Sequence, residues 1–368
     1  MGKWGFLSVF FLFSFTGIAQ PVEIPLYYPI HEQTIQAVAQ NHDSTHVSYG
    51  PLYSNQLKNP TSILGFSPDN SKRKTWFGRK FFDENLVVLD KPDIYFTLDL
   101  VFNFTGGYNA SGEVDDFLYQ NTRGILFKGY FGKKVSFYTS FIENQARFPG
   151  YITKYVNNQQ VVPGSGRVKN IDNNGFDYSM ASAGIVWDAT RFMRVKLGTD
   201  KDFLGMGYRS ITLSDNSFIY PHVKIDFWFA KRKLKYTLNY ALLQDLVRLP
   251  KGETPESLFE RKAAVFHYLS YKPFDNFEFG VFNGVIMPID PQGESASFYF
   301  NYFMPIIFWN SGTNNDYVQR SGLNLSWFIT EKLSFYGQFM VDIKSFDSQS
   351  FLAGIRLSDL FTPKLNFT

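Results

Sequence analysis

From residue 93 onward, apolar and polar side chains alternate along the chain with a period of two. The clearest run is Ile94 to Phe104, where every second residue is Ile, Leu or Phe and most of the others are polar. Such a period is typical of a β-strand that presents its two faces to different surroundings. The run of 11 residues matches a tilted membrane-spanning strand, whereas strands of soluble proteins average about five or six residues.

The same alternation recurs to the end of the chain, in segments paired by tight turns. The pattern predicts about 12 strands and the start of a thirteenth at Lys364–Thr368. The strand at Ile94 is followed by 124–130, 135–144, 177–187, 192–198, 219–230, 234–244, 261–271, 277–285, 317–328, 333–343 and 349–357.

Longer polar connections separate the paired segments, at 145–176, 199–217, 245–260 and 286–316. Short turns that alternate with long loops are typical of transmembrane barrels, with the short turns in the periplasm and the long loops outside. The fold class predicted is therefore all-β, a transmembrane antiparallel β-barrel. Because single-chain bacterial barrels close with an even number of strands, either the strand count is off by one or the chain is truncated, and we expect truncation.

The N-terminus predicts export. Residues 1–19 have a positive charge at Lys3, an apolar run from Phe6 to Phe15, and small residues at Gly17 and Ala19 before a cut at Gln20. This is the pattern of a secretory signal peptide, and the apolar run is too short for a transmembrane anchor. We expect residues 20–92 to be a periplasmic segment with a short helix near His31–Asn41, and residues 93–368 to form the barrel in the cell outer membrane.

Composition supports this fold class and excludes others. The chain has 41 Phe and 22 Tyr, yet its mean hydropathy is −0.18. Many aromatic residues at modest hydropathy suit a barrel, in which only alternate residues meet lipid and aromatic girdles line both interfaces. The net charge of +3 gives no reason to expect nucleic acid. The absence of cysteine excludes disulfides, thiolate catalysis and Cys-ligated metals.

The five histidines give little sign of catalysis or metal binding. His42 and His46 are four residues apart, but their polar surroundings do not predict a zinc-binding helix. A barrel lipase would need Ser and His on one face of a strand. His267 and Ser270 differ in parity and face opposite sides, and His222 has no serine of matching parity nearby except Ser217 at the loop edge. We therefore expect no enzyme activity, no metal and no cofactor.

One connection carries a resemblance to a known family. Residues 198–216 follow the pattern G-x-x-x-x-F-x-G-x-G-Y-R-S-x-x-L-S-D-N, and Tyr220-Pro221 comes shortly after it. The stretch resembles a loop of the Wzi-like capsule-assembly family, in particular its RemB-like, gliding-motility-associated members in Bacteroidetes. The resemblance implies a monomeric outer-membrane barrel with a small periplasmic helical element, and family members are longer than this chain. It further implies polysaccharide and outer-membrane lipid as partners, together with motility or secretion machinery.

The same loop contains the candidate ligand-binding residues. Sugars are bound by aromatic faces and planar polar side chains, and these residues provide that mixture: Tyr208, Arg209, Asp215, Asn216 and Tyr220. Gly205 and Gly207 shape the loop, because glycine lets the backbone turn or approach a neighbour closely. The loop is expected outside or folded into the lumen. The alternative is structural, with an internal Arg209–Asp215 salt bridge that fixes a barrel-plugging loop.

Two functions fit these observations. The first is a surface protein that binds or anchors capsular or extracellular polysaccharide, linked to gliding motility. The second is a porin-like diffusion channel, favoured by the polar interior face, although Tyr95, Tyr336 and Met340 are bulky enough to help fill a lumen. Exposed aromatic residues in the stretches 148–151 and 298–309 are expected to belong to the interfacial girdle rather than to a sugar platform. A soluble carbohydrate-binding sandwich is excluded by strand length.

Overall fold

A computed structural model describes residues 21–58, 73–110, 117–171, 174–248, 259–289, 303–309, 318–359, 361–362 and 365–367. The predicted signal peptide and its cleavage site lie outside these residues. Three α-helices occur in the described ranges, and they are α1 (Tyr28–Gln40), α2 (Trp76–Phe82) and α3 (Gly150–Gln159). Single 3-10 turns lie at Ser54–Gln56 and Ala230–Arg232. No helix in the described ranges is long and apolar enough to cross a membrane.

Eighteen strands account for most of the remaining described structure. Those before residue 140 begin the sheet, and they are β1 (Tyr49–Gly50), β2 (Val87–Lys91), β3 (Ile94–Tyr108), β4 (Phe117–Phe131) and β5 (Val135–Arg147). The middle of the chain contributes β6 (Val161–Val162), β7 (Gly166–Arg167), β8 (Lys169–Ile171), β9 (Gly175–Thr190), β10 (Met193–Asp200), β11 (Phe203–Leu204) and β12 (Tyr220–Phe229). The last are β13 (Leu234–Gln244), β14 (Arg261–Phe274), β15 (Phe277–Pro288), β16 (Val318–Phe328), β17 (Leu333–Asp342) and β18 (Gln349–Leu357).

The long strands form one antiparallel sheet of 14 strands that follows the chain order from β2 to β18. This confirms the predicted all-β class, and a strand lies at each of the 12 predicted positions. Strand β2 was not predicted, so the sheet begins before residue 93, where the barrel was expected to start. At the other end, Phe367 forms an isolated antiparallel bridge with Leu357, within the stretch predicted to begin a thirteenth strand.

The sheet curves around residues 21–58. The carbonyl of Pro21 accepts a hydrogen bond from Ser136 on β5, while Glu32 on α1 pairs with Arg356 on β18 at 2.6 Å. Neighbouring strands are about 4.8 Å apart, so one short segment reaches such distant strands only if the sheet bends into a barrel wall. The core of the molecule therefore lies inside this wall.

The alternation predicted from the sequence places different chemistry on the two faces. On β12, Tyr220, His222, Lys224, Asp226 and Trp228 are buried and point inward. The residues between them point outward and are apolar, namely Pro221, Val223, Ile225, Phe227 and Phe229. The outer face is the one that suits lipid, since its side chains carry almost no polar groups.

The N-terminal segment occupies the interior at the end where the short turns lie. His46 contacts Ser270 on β14 at 2.6 Å, and Asn55 donates to Asp188, near the turn after β9, at 2.7 Å. Helix α1 packs its buried face against Phe328 and Tyr336 of the wall. The location of this segment in the periplasm, and the boundary at residue 92, stay predictions.

Part of the connection between β15 and β16 lies against the outer wall. We call residues 303–309 the strap. Tyr240 donates a hydrogen bond to the carbonyl of Phe303, and Tyr236 donates one to that of Pro305, each at 2.9 Å. Val265 and Met287, which point outward on β14 and β15, are buried. The long connections were expected beyond the strand ends, whereas this part returns along the face that meets lipid.

Candidate functional site

The candidate loop between β10 and β12 folds into the interior. Its strand β11 pairs with β1, and the amide of Gly205 donates to the carbonyl of Ser48 at 2.7 Å. Gly205 has φ +137°, a conformation that favours glycine, and a Cβ on Gly207 would lie 2.6 Å from the Tyr336 ring. Both glycines therefore permit close packing of the loop tip. The loop and the N-terminal segment form one continuous filling of the interior.

Tyr208 and Arg209 lie at the tip of this loop, beside α1. The Tyr208 ring meets Tyr28 edge-on with centroids 4.8 Å apart, and the Arg209 guanidinium lies 4.3 Å above the Tyr208 ring. Tyr208 is 52% exposed and lines a cavity of about 520 Å³ with Glu32 and two glutamines of α1. This cavity opens at the short-turn end of the barrel, away from the long loops.

The other predicted residues lie apart from that tip. The carbonyl of Asp215 accepts a hydrogen bond from Lys201 at 2.8 Å, and Asn216 lies beside Gly164. Tyr220 is buried and donates to Asp202 at 3.3 Å. The five residues thus do not converge on a single cavity, although Tyr208 and Asp215 line one small cleft together. Whether any of them contacts a ligand stays a prediction.

The alternative of an internal Arg209–Asp215 salt bridge is not what holds the loop. Between these two described side chains there is no ion pair, and the loop is fixed by other groups. The side chain of Gln338 on β17 donates to the carbonyl of Leu204 at 2.7 Å, and Arg356 donates to that of Met206. Contacts to the wall, rather than a bridge within the loop, fix its path.

Ion pairs join the loop and the N-terminal segment to β10 and β12. Lys196 contacts both Glu23 and Asp200 at 2.6 Å, and Lys224 contacts Asp202 at 2.5 Å. Burial alone would raise the pKa of the Asp202 carboxyl, but Lys224 above all, with His222 and Lys196, holds it at about 2. A buried charge is tolerated only when it is paired, so each segment in the interior satisfies charges on the wall.

A second polar cluster at the short-turn end contains a serine and a histidine. His46 meets Ser270, and Ser270 also donates to Glu278 at 2.8 Å. The second imidazole nitrogen of His46 is bound to the carbonyl of Arg232 at 2.8 Å. All three side chains are buried, so this arrangement secures the segment and offers no access to a substrate. Among the described residues, no group of acidic or histidine side chains is placed to hold a metal ion.

Helix α3 at the long-loop end was missed as a site from the sequence. Its Val156 is buried with Val162 of β6 and Phe176 of β9, which anchors the helix to the wall. On the opposite side Tyr151 is 76% exposed and Tyr155 is 46% exposed. The helical spacing of buried Thr153 and Val156 is the signal for this helix, whereas the sequence pattern predicts that Tyr151 belongs to the interfacial girdle.

We call the exposed side of α3 the tyrosine ridge, and it consists of Tyr151, Lys154, Tyr155, Asn157 and Asn158. Residues three or four apart on a helix are neighbours on its surface, so the two tyrosines lie one turn apart with Lys154 beside them. This surface combines aromatic faces with amide and ammonium donors. It belongs to the connection between β5 and β9, at the long-loop end of the sheet.

No protein-family model matches the chain, and no curated protein matches it significantly. Among solved structures, it is similar to Wzi of Escherichia coli, described as an outer-membrane, carbohydrate-binding β-barrel involved in group 1 capsule assembly. The two chains are 14% identical with a TM-score of 0.49, and the match covers 92% of this chain and 68% of Wzi.

Channel proteins are also similar to this chain, with lower sequence identity and lower TM-scores. OccK9 of Pseudomonas aeruginosa has 9% identity and TM-score 0.31 over 73% of this chain and 78% of that one. A deletion mutant of the monoaromatic hydrocarbon channel TodX has 8% identity and TM-score 0.32 over 73% of this chain and 80% of that one. Similarity at these values carries no argument about fold or function.

Proposed function

We propose that the chain is an outer-membrane surface protein that binds or anchors capsular or extracellular polysaccharide and does not act as a diffusion channel. The observation that carries the proposal is the filled interior. A diffusion pore needs a water-filled path along the barrel, whereas barrels with plugged interiors serve other functions. Here residues 21–58 fill one end, and the loop of residues 201–217 extends from the other end to meet them.

The contacts between these two segments make the filling continuous. Tyr49 pairs with Leu204 in the β1–β11 ladder, and Met206 packs in the same cluster as Ile35 of α1. Buried ion pairs and hydrogen bonds then fix both segments to the wall. Because breaking a buried pair by removing one partner costs about 3–5 kcal/mol, spontaneous opening of a pore is strongly disfavoured.

The tyrosine ridge is the surface we propose for polysaccharide. Tyrosine offers a rigid ring face with a polar tip, and the adjacent lysine and asparagines provide hydrogen-bond donors. The ridge lies at the end where the long loops emerge, which the turn pattern predicts to be extracellular. Tyr208, Arg209, Asp215, Asn216 and Tyr220 remain a second candidate contact, and a test of them must account for their inward location.

Single-channel recording in planar bilayers tests the first half of the proposal. Purified protein is expected to give no steady current steps of porin size. A variant lacking residues 21–58 is the positive comparison, since removal of the filling is expected to produce a current. Steady ohmic steps from the intact protein would contradict the proposal and favour the channel.

Binding of extracellular polysaccharide purified from the producing bacterium tests the second half. The double variant Tyr151→Ala with Tyr155→Ala is expected to weaken binding at least tenfold in calorimetry. Tyr271→Ala is the matched control, because Tyr271 is an exposed tyrosine at the short-turn end. Equal affinity of all three proteins would exclude the ridge. The predicted link to gliding motility is tested separately, by colony spreading of a strain that lacks the gene.

A further inference from the structure

Two arginines at the long-loop end surround one aromatic ring. Arg167 of β7 lies 5.4 Å from the centroid of Phe259, and Arg248, which follows β13, lies 5.6 Å from it. The Arg167 guanidinium also donates to the carbonyl of Leu246 at 3.0 Å, which fixes it in place. The fold therefore brings Arg167 of β7 to Arg248 and Phe259, which both belong to the connection between β13 and β14.

Neither guanidinium is paired with a carboxylate among the described residues. Burial, and then the positive charge of Arg248, lower the pKa of Arg167. Lys196, Lys224 and Arg356 are buried and each face an acidic partner, whereas Arg167 is half-buried and Arg248 is exposed, so both can meet a ligand from solvent. Two like charges held around one ring without such a partner leave a favourable place for an anion.

We propose that Arg167 and Arg248, which lie around the Phe259 ring, bind the carboxylate group of an acidic saccharide unit. The planar fork of a guanidinium matches a carboxylate in two parallel hydrogen bonds, and stacking on the Phe259 ring holds the two guanidinium groups near each other. This inference rests on the proposed function, because it assigns to the bound polysaccharide a negative charge.

The location favours a saccharide over a phosphorylated lipid. Arg167 pairs with Val161 in the β6–β7 ladder, and β6 packs directly against α3, which carries the tyrosine ridge. Arg248 lies beyond the end of β13 at Gln244. Both arginines therefore lie at the long-loop end of the sheet, as the tyrosine ridge does, and a chain that crosses the ridge would reach them.

The experiment compares polygalacturonate oligomers with their methyl esters, which keep the sugar and lose the charge. In calorimetry on the full chain, the double variant Arg167→Gln with Arg248→Gln is expected to bind the acidic oligomer roughly tenfold more weakly or worse. Its affinity for the methyl ester is expected to stay unchanged. Lys169→Gln is the matched control, since Lys169 is a nearby cation that does not contact Phe259. Heat-modifiable migration verifies that each variant is folded.

Each result has a distinct meaning. If the intact protein binds both oligomers equally, or if the arginine variant keeps its affinity for the acidic one, this inference is wrong while polysaccharide binding stands. If the intact protein binds neither oligomer nor the native polysaccharide, the proposed function fails as well. A third arm uses vesicles with lipopolysaccharide or its dephosphorylated form. If the arginine variant loses only its binding to vesicles with phosphorylated lipopolysaccharide, the saccharide assignment is wrong.

Discussion

Alternate residues of β13 lie on two faces of the sheet that have opposite surroundings. Lys235, Thr237 and Asn239 point inward, where Thr237 donates to Asp226 at 2.6 Å and Asn239 donates to Asp202 at 2.6 Å. On the outer face, Tyr236 and Tyr240 lie on either side of an apolar residue. The inner face is held by charges and amides, and the outer face by apolar contact with two hydroxyl groups.

Both faces nevertheless obey the same requirement, that a buried polar group must find a partner. Inside, the partners are supplied by the N-terminal segment and the loop after β10. Outside, they are supplied by the strap, whose Phe308 amide contacts the Asn283 side chain at 3.4 Å. Irregular backbone at membrane depth is tolerated only where it is satisfied by protein. In this part of the outer wall, polar side chains such as Tyr236 and Asn283 therefore lie beside a segment that satisfies them.

The largest effect is expected from an unpaired charge on the inner face. Lys224→Met removes the partner of Asp202 and is expected to lower the free energy of unfolding by about 3–5 kcal/mol. Urea titration of the protein in detergent micelles measures it. Ile225→Met, on the neighbouring outward position, is the control and is expected to cost less than about 1.5 kcal/mol. Equal losses would show that the two faces do not differ as described.

The next effect comes from a charge placed on the outer face. Ile225→Lys, in the middle of β12, is expected to cost about 2–4 kcal/mol, because a lysine at the bilayer midplane is poorly solvated. Folding into lipid vesicles, followed by denaturant titration, measures the loss. A cost near zero in vesicles would indicate that this part of the wall does not face lipid.

Acidification is expected to weaken the filling of the interior. Burial above all, and then Arg356, lowers the pKa of His31 from 6.5 to about 3. Between these values the unfolded chain binds a proton that the folded chain refuses, so stability falls as pH decreases below 6.5. The component of this pH dependence that comes from His31 lowers the free energy of unfolding by about 2 kcal/mol at pH 5. His31→Phe keeps the edge-on contact with Phe203 and should remove this component.

The comparison for that experiment is His42→Gln, since His42 lies exposed at the short-turn end. Denaturant titrations give the free energy of unfolding at pH 7 and at pH 5. The difference between these two values should be the same for this variant as for the parent protein. If the free energy of unfolding of His31→Phe still falls as much between pH 7 and pH 5 as that of the parent protein, His31 is not the group responsible.

The smallest effect concerns the strap. Tyr236→Phe removes the hydroxyl that donates to Pro305 and meets His267 at 2.7 Å, and it is expected to cost about 1 kcal/mol. Labelling of a cysteine at Ser321, which is buried and points outward, should become roughly five times faster. Tyr271→Phe is the control, as an outward tyrosine away from the strap. Unchanged labelling would mean that the hydroxyl does not hold the strap.

The alternation of side chains was sufficient to predict the strands and their two faces. A strand exposes successive residues to opposite sides, so the pattern around Ile94 or Tyr236 records the local surroundings directly. The same reasoning predicted that His267 and Ser270 face opposite sides, as they do. Short strand β2 was missed because five residues give too little alternation to recognise.

The segments that fill the barrel and the strap that covers part of its outer face could be identified only from the tertiary structure. Glu23 and Lys196, or Tyr236 and Pro305, are far apart in sequence, and nothing in either local pattern specifies the other. Arg167 meets Arg248 and Phe259, which lie in a different connection, for the same reason. By itself the sequence determined which groups need partners, because burial of a charge or a hydroxyl always demands one. The fold determined which partner each received.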